Sequence, residues 1–214
     1  GSAWYSATEL TKWIELAEKH RFLAVFGHAS LYEKKELTNP TKEQWAYISK
    51  FGGVACGERY FEVRDKTERF KNDLQYVRNI VPAVDKHLAN HVPDHVVDKN
   101  NMFYMGHSNG GIFGCLLPLY LPNFFAGLCT HMGGIGKDPF YYLDFSLLKE
   151  DDRKTPILVV TGEKDTYRAV SEAARNIYET EGFDVTFKLK PDALHRYTSD
   201  IEPYVYEWFT SNKR

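Results

Sequence analysis

The segment Gly106-His107-Ser108-Asn109-Gly110-Gly111 has the spacing G-x-S-x-G. A strand-like run, Asn101–Gly106, leads into it, and a helical pattern leads out from about Asn109. This context sets a serine on a sharp turn with its hydroxyl above a sheet, placed to attack a carbonyl carbon. Gly106 and Gly110 leave room for so tight a backbone. The backbone N–H of Asn109, aided by the positive end of the helix, is a donor for the developing oxyanion. A nucleophilic serine needs a base, and the base needs an orienting acid. In this geometry they follow in the order Ser, Asp/Glu, His, each in a loop at the carboxyl end of a strand. Gly162-Glu163-Lys164-Asp165 follows the strand Ile157–Thr161, and Pro191-Asp192-Ala193-Leu194-His195 follows the strand Val185–Lys190. Asp165 is therefore the candidate acid, with Glu163 its competitor, and His195 the candidate base.

The other histidines divide by position. His87, His91 and His95 recur every four residues, a spacing at which a helix can hold zinc. No glutamate follows His87 in the H-E-x-x-H manner, and Pro93 ends the helix. No metal site is assigned there, and no cofactor is implied. His107 occupies the variable position of the serine turn, while His28 and His131 end strand-like runs. With Met132 they are the candidates for substrate contact. His20 is expected to be exposed.

Apolar runs alternating with amphipathic ones mark an α/β protein with a mostly parallel sheet and helices on both faces. The helices are read near Ser6–His20, Lys71–His91, from Asn109, near Tyr167–Thr180 and from Asp200. Pro82 should kink the second of them. The strands are Phe22–Gly27, Asn101–Gly106, Phe125–Thr130, Ile157–Gly162 and Val185–Lys190. Residues 1–214 read as one domain, with a loop or cap over the site within residues 29–70.

Composition narrows the function further. Hydrophobic residues make up 43% and charged residues 26%, which suits a globular domain. The net charge of −2 and the lack of a Lys/Arg run argue against a nucleic-acid partner. Asn100–Gly136 carries no charged residue, but Pro118, Pro122 and His107-Ser108-Asn109 interrupt it, so it reads as buried sheet rather than a membrane span. Gly1–Trp4 shows neither the basic nor the apolar region of a signal peptide. Cys56, Cys115 and Cys129 are too few for a disulfide scaffold.

The stretch Asn101–Gly134 resembles the α/β-hydrolase esterases grouped with polyhydroxybutyrate depolymerases and feruloyl esterases. Gly106–Gly111, Pro122 and Phe125-Ala126 carry the likeness, together with Asn72-Asp73-Leu74 and Val77-Arg78 upstream. The resemblance implies a serine esterase using Ser108, Asp165 and His195 on a small-molecule or polymer ester, and it is compatible with secretion. A peptidase, a thioesterase or a non-catalytic binding module on the same fold are the alternatives. Pro118, inside the nucleophile helix, departs from the family pattern. The resemblance also implies a central strand between Phe22–Gly27 and Asn101–Gly106, and after it a loop supplying a second oxyanion donor. That donor is expected near Gly1 or Ser2 or upstream, with a separate N-terminal segment or a second chain completing the sheet.

Overall fold

The computed structural model describes residues 11–25, 66–91, 94, 97–135 and 145–214. Its main elements are α1 (Thr11–His20), α2 (Lys66–His91), β1 (Phe103–His107), α3 (Asn109–Tyr120), β2 (Gly127–His131), β3 (Ile157–Gly162), α4 (Arg168–Thr180), β4 (Val185–Lys190) and α5 (Glu202–Ser211). The four strands form one parallel sheet in the order β1-β2-β3-β4. Continuous apolar runs such as ILVVTG in β3 suit this arrangement, because a parallel strand is covered on both faces. Every residue of β3 is buried.

The register puts Tyr104, Leu128, Ile157 and Val185 in one row across the sheet. On that face Val77 of α2 and Phe113, Leu116 and Leu117 of α3 pack against Leu128, while Ala174 and Tyr178 of α4 cover Ile157 and Val159. On the opposite face α5 lays Val205 and Phe209 over Cys129, Leu158 and Val160, with Trp13 of α1 beside them. Helices therefore cover both faces.

Two prolines lie inside helices. Pro82 sits within α2, which continues past it to His91 although the ring removes one backbone bond. Pro118 within α3 leaves the carbonyl of Gly114 without its helical donor. A Cβ on Gly114 would stand 2.7 Å from Cε1 of Tyr104, so glycine there lets α3 lie close against β1.

Several boundaries differ from the sequence reading. The predicted buried strand Phe22–Gly27 is not seen as one: residues 22–25 pair with no strand, and Phe26 and Gly27 lie outside the described residues. Leu23 and Val25 are 52% and 50% exposed, whereas Phe22 stacks on Tyr206 of α5. Residues 22–25 follow α1 without regular secondary structure and lean on α5 through Phe22, and their apolar side chains do not all face inward. Among the described residues β1 is a sheet edge, and the expected strand beside it is not among them. β1 starts later than expected because Asp98 caps a turn over Lys99–Asn101, accepting from the N–H of Asn100 at 3.0 Å. β2 starts at Gly127 because the carbonyl of Phe125 is taken by Thr155 and Arg214. α2 begins at Lys66, so residues 66–70 are helix rather than loop; most of the expected cap lies outside the described residues. Cys115 and Cys129 are buried free thiols. Among the described residues no helix is long and apolar enough to cross a membrane.

Candidate active site

Ser108 stands between the end of β1 and the start of α3 with φ 53° and ψ −114°. A non-glycine residue rarely adopts such a conformation, and its neighbours hold it there. The N–H of Ser108 donates to the carbonyl of His131 at 2.9 Å, and its carbonyl accepts from Ile112 at 2.9 Å. Glycine is required on both sides of the turn. A Cβ on Gly106 would lie 2.2 Å from the carbonyl oxygen of Gly110, and one on Gly133 would lie 2.6 Å from that of Ser108. Asn109 opens α3, so its N–H belongs to the first turn, which has no acceptor within the helix.

The loops after β3 and β4 bring the other two groups to this turn. Ser108 Oγ lies 2.9 Å from Nε2 of His195, and Nδ1 of His195 lies 2.9 Å from Oδ1 of Asp165. The Asp165 side chain is fully buried, and that of His195 is 26% exposed. Oδ1 of Asp165 also accepts from the N–H of Tyr167 at 2.8 Å, and Oδ2 faces the hydroxyl of Thr161 at 3.5 Å. An ionised carboxylate only accepts, so Nδ1 of His195 carries the proton and Nε2 accepts from the serine hydroxyl. Glu163, the competing acid, instead accepts from the N–H of Asp192 at 3.1 Å and so braces the two loops. The N–H of Lys164 donates to the carbonyl of Ala193, and its ammonium pairs with Asp192 at 2.6 Å.

His107 and His131 were candidates for substrate contact on sequence grounds, and both are buried beneath the site. Their Nδ1 atoms are 3.3 Å apart, and the ring of His107 lies 5.5 Å from that of His195 at 29°. Burial, reinforced by the neighbouring imidazoles, pushes His107 down to about 2. Burial, with Lys190 nearby, pushes His131 down to about 3. Both are neutral at ordinary pH and add no positive charge beside His195. Met132 is also buried, held at φ 51° with its N–H donating to Val160, so it belongs to the floor rather than the rim. His28, Gly1 and Ser2 lie outside the described residues, as does His95. His87 and His91 stack on each other on α2, and Nδ1 of His91 lies 2.8 Å from the carbonyl of His87.

Sequence reasoning missed the support under this floor. The Tyr197 ring meets His107 and His131 edge-on, and its hydroxyl donates to buried Glu202 and accepts from Trp13 Nε1. Burial raises Glu202 to about 7. A glutamate in the first turn of a helix reads from sequence as an exposed dipole partner. Only the docking of α1 on α5 buries this one.

No protein-family model matches the chain. Over 230 aligned positions it is 29% identical to uncharacterized hydrolase R843 of Acanthamoeba polyphaga mimivirus, covering 100% of this chain and 68% of that protein. Among solved structures it is similar to SOBER1 of Arabidopsis thaliana, with TM-score 0.51 and 25% identity over 65% of this chain and 63% of that one. The carboxylesterase of Bacillus cereus matches with TM-score 0.51 and 17% identity over 75% of this chain and 65% of that one. The chain thus spans somewhat less than two thirds of these solved structures. The fold is that of an α/β-hydrolase, a mostly parallel sheet with helices on both faces.

Proposed function

We propose that this protein is a serine carboxylic-ester hydrolase in which Ser108 is the nucleophile, His195 the general base and acid, and Asp165 its orienting acid. The observation that carries this reading is the unbroken hydrogen-bonded chain from Ser108 Oγ through His195 to Asp165, with the serine on a turn where only a constrained backbone holds it. The mimivirus relative is described as a hydrolase, and SOBER1 and the Bacillus carboxylesterase share the fold.

Ser108 Oγ bonds to the ester carbonyl carbon as its proton passes to Nε2 of His195. The carbonyl oxygen becomes an oxyanion facing the N–H of Asn109, one donor of the pair such chemistry uses. The intermediate collapses with cleavage of the carbon–alkoxy bond, and the proton on Nε2 goes to the departing alcohol. Water, deprotonated by the same nitrogen, then attacks the acyl-serine, and Ser108 recovers its proton. Asp165 keeps the Nδ1–H tautomer and offsets the charge of the imidazolium. The neutrality of His107 and His131 matters here, because a second cation against the His195 ring would oppose formation of that imidazolium.

The likeness of the serine turn to polyhydroxybutyrate depolymerases and feruloyl esterases supports a small-molecule or polymer ester as the substrate. The test is labelling by a fluorophosphonate probe together with a p-nitrophenyl ester panel set against peptide and thioester substrates. Rapid labelling lost in Ser108→Ala, with esters preferred, is the expected result. A folded protein that neither labels nor turns over any substrate would instead be a binding module on a hydrolase fold.

A further inference from the structure

Six large hydrophobic side chains are exposed among the described residues, and two of them, Tyr167 and Leu194, belong to the loops that carry Asp165 and His195. They come from different loops, Tyr167 two residues after Asp165 and Leu194 immediately before His195. The Tyr167 ring lies 4.8 Å from the His195 ring at 42°, on a side chain 40% exposed, and Leu194 is 60% exposed. The N–H of Arg196 donates to the carbonyl of Leu194 at 2.7 Å, a three-residue turn centred on His195. Buried His107 stacks on the same imidazole as Tyr167 and closes its inner side. Among the charges around these loops, Lys164 pairs with Asp192, Glu163 accepts from the Asp192 N–H, and Arg168 pairs with Glu172 on α4 at 2.8 Å, while Arg196 is exposed.

Resting on the proposed roles of Ser108 and His195, we propose that Tyr167 and Leu194 form the binding surface for the leaving alcohol, and that the preferred substrates are esters of apolar, aryl- or alkyl-bearing alcohols. The departing oxygen must receive its proton from Nε2 of His195, so the alcohol group leaves along the solvent-facing side of that ring. The Tyr167 ring lies against that imidazole, and exposed Leu194 directly precedes His195 in the chain. A ring or alkyl chain on the alcohol loses water against them in the transition state as well as on binding, so the preference falls on kcat/KM. A methyl group is too small to reach both residues.

The test compares methyl, butyl and benzyl acetates, which share one acyl group, with an acetate whose alcohol carries a carboxylate. Methanol and benzyl alcohol are close in acidity, so their intrinsic leaving ability is matched. The expected result is a benzyl-to-methyl ratio in kcat/KM of about tenfold or more, the scale on which apolar pockets discriminate. That ratio should collapse toward unity in Tyr167→Ala and fall in Leu194→Ser, while Tyr167→Phe retains it. Leu194→Ser alters an exposed side chain and keeps the test independent of whether Tyr167→Ala folds. A ratio near one in a protein that labels rapidly with fluorophosphonate would overturn this assignment and leave the esterase reading standing. Preference for the anionic alcohol would transfer the role to exposed Arg196 and overturn it as well. Absence of both labelling and acetate turnover would overturn the two readings together.

Discussion

Asp165→Asn separates two roles that an orienting acid combines. Oδ1 of Asp165 receives two donors, His195 Nδ1 at 2.9 Å and Tyr167 N–H at 2.8 Å. The Tyr167 amide can only donate, so an asparagine turns its carbonyl oxygen to that corner, where it still accepts from His195 Nδ1–H. The side-chain NH2 then takes the Oδ2 corner, opposite the Thr161 hydroxyl, which can accept. Nε2 thus stays unprotonated and still accepts from Ser108. Where the same substitution reverses the imidazole tautomer, kcat falls by about 10⁴. Here the expected loss is electrostatic. With charge centres about 4 Å apart and an effective dielectric of about 20, it is about 4 kcal/mol, or about 10³ in rate. Turnover of p-nitrophenyl acetate measures the loss, and ¹⁵N spectra of the His195 ring identify the tautomer. A folded variant with an Nε2–H tautomer, or one slowed by less than about tenfold, would refute this account of the Asp165 corner.

Ser108→Ala and His195→Ala should each abolish ester turnover, with losses of up to about 10⁶ for the nucleophile, while alanine at His87 or His91 leaves rates unchanged; a chelator-sensitive rate would contradict the second part. Gly106→Ala brings a Cβ against the backbone of Gly110 at 2.2 Å, so the melting temperature should drop with a loss of about 1–3 kcal/mol, and an unchanged melt would show that the turn can open freely. Stability should also fall toward acid. The unfolded chain's His107 and His131 take up protons as pH drops through 6.5, while the folded chain holds out to about 2 and about 3. Glu202 works in the opposite sense: its contribution is full below 4.5 and is lost as pH rises through about 7. Denaturant titrations of Glu202→Gln should therefore show a steeper acid slope than the wild type, and parallel slopes would mean that Glu202 ionises as in the unfolded chain.

The elements nearest the chemistry were the most legible in the sequence. β3 and β4 match their predicted bounds because β3 is an apolar run and β4 an alternating one, each closed by a turn residue, Gly162 or Pro191. The order of Ser108, Asp165 and His195 follows from strand-end loops, which a linear reading can place. Phe22–Gly27 misled because a short apolar run looks the same whether a sheet or a helix covers it. The period of exposure at Leu23 and Val25 emerges only once α5 is in place. His131 and Met132 looked like rim residues since they end a strand, yet the inward turn at Met132 and the close packing of Gly133 and Gly134 carry them under the site. Tyr167 and Leu194 left a weak signal, two large apolar residues in polar loops beside the candidate acid and base. Burial of Glu202 left none, because it depends on a contact between the first and last helices.

The two buried thiols lie in different layers. Cys115 sits between α3 and α4, where burial pushes it up to about 12, and Cys129 lies under α5, also pushed upward by burial. Neither reacts with a thiol reagent unless its own layer opens. With Cys56 replaced by serine, modification rates at the two sites report two local opening equilibria within one chain. The layer holding α5 also carries Tyr197, Glu202 and the floor of His195, so Cys129 monitors the breathing of the site and Cys115 the scaffold behind it. A ligand that rigidifies the serine turn would slow labelling at Cys129 more than at Cys115, which makes the pair an intrinsic gauge of which inhibitors tighten the site and which stiffen the whole fold.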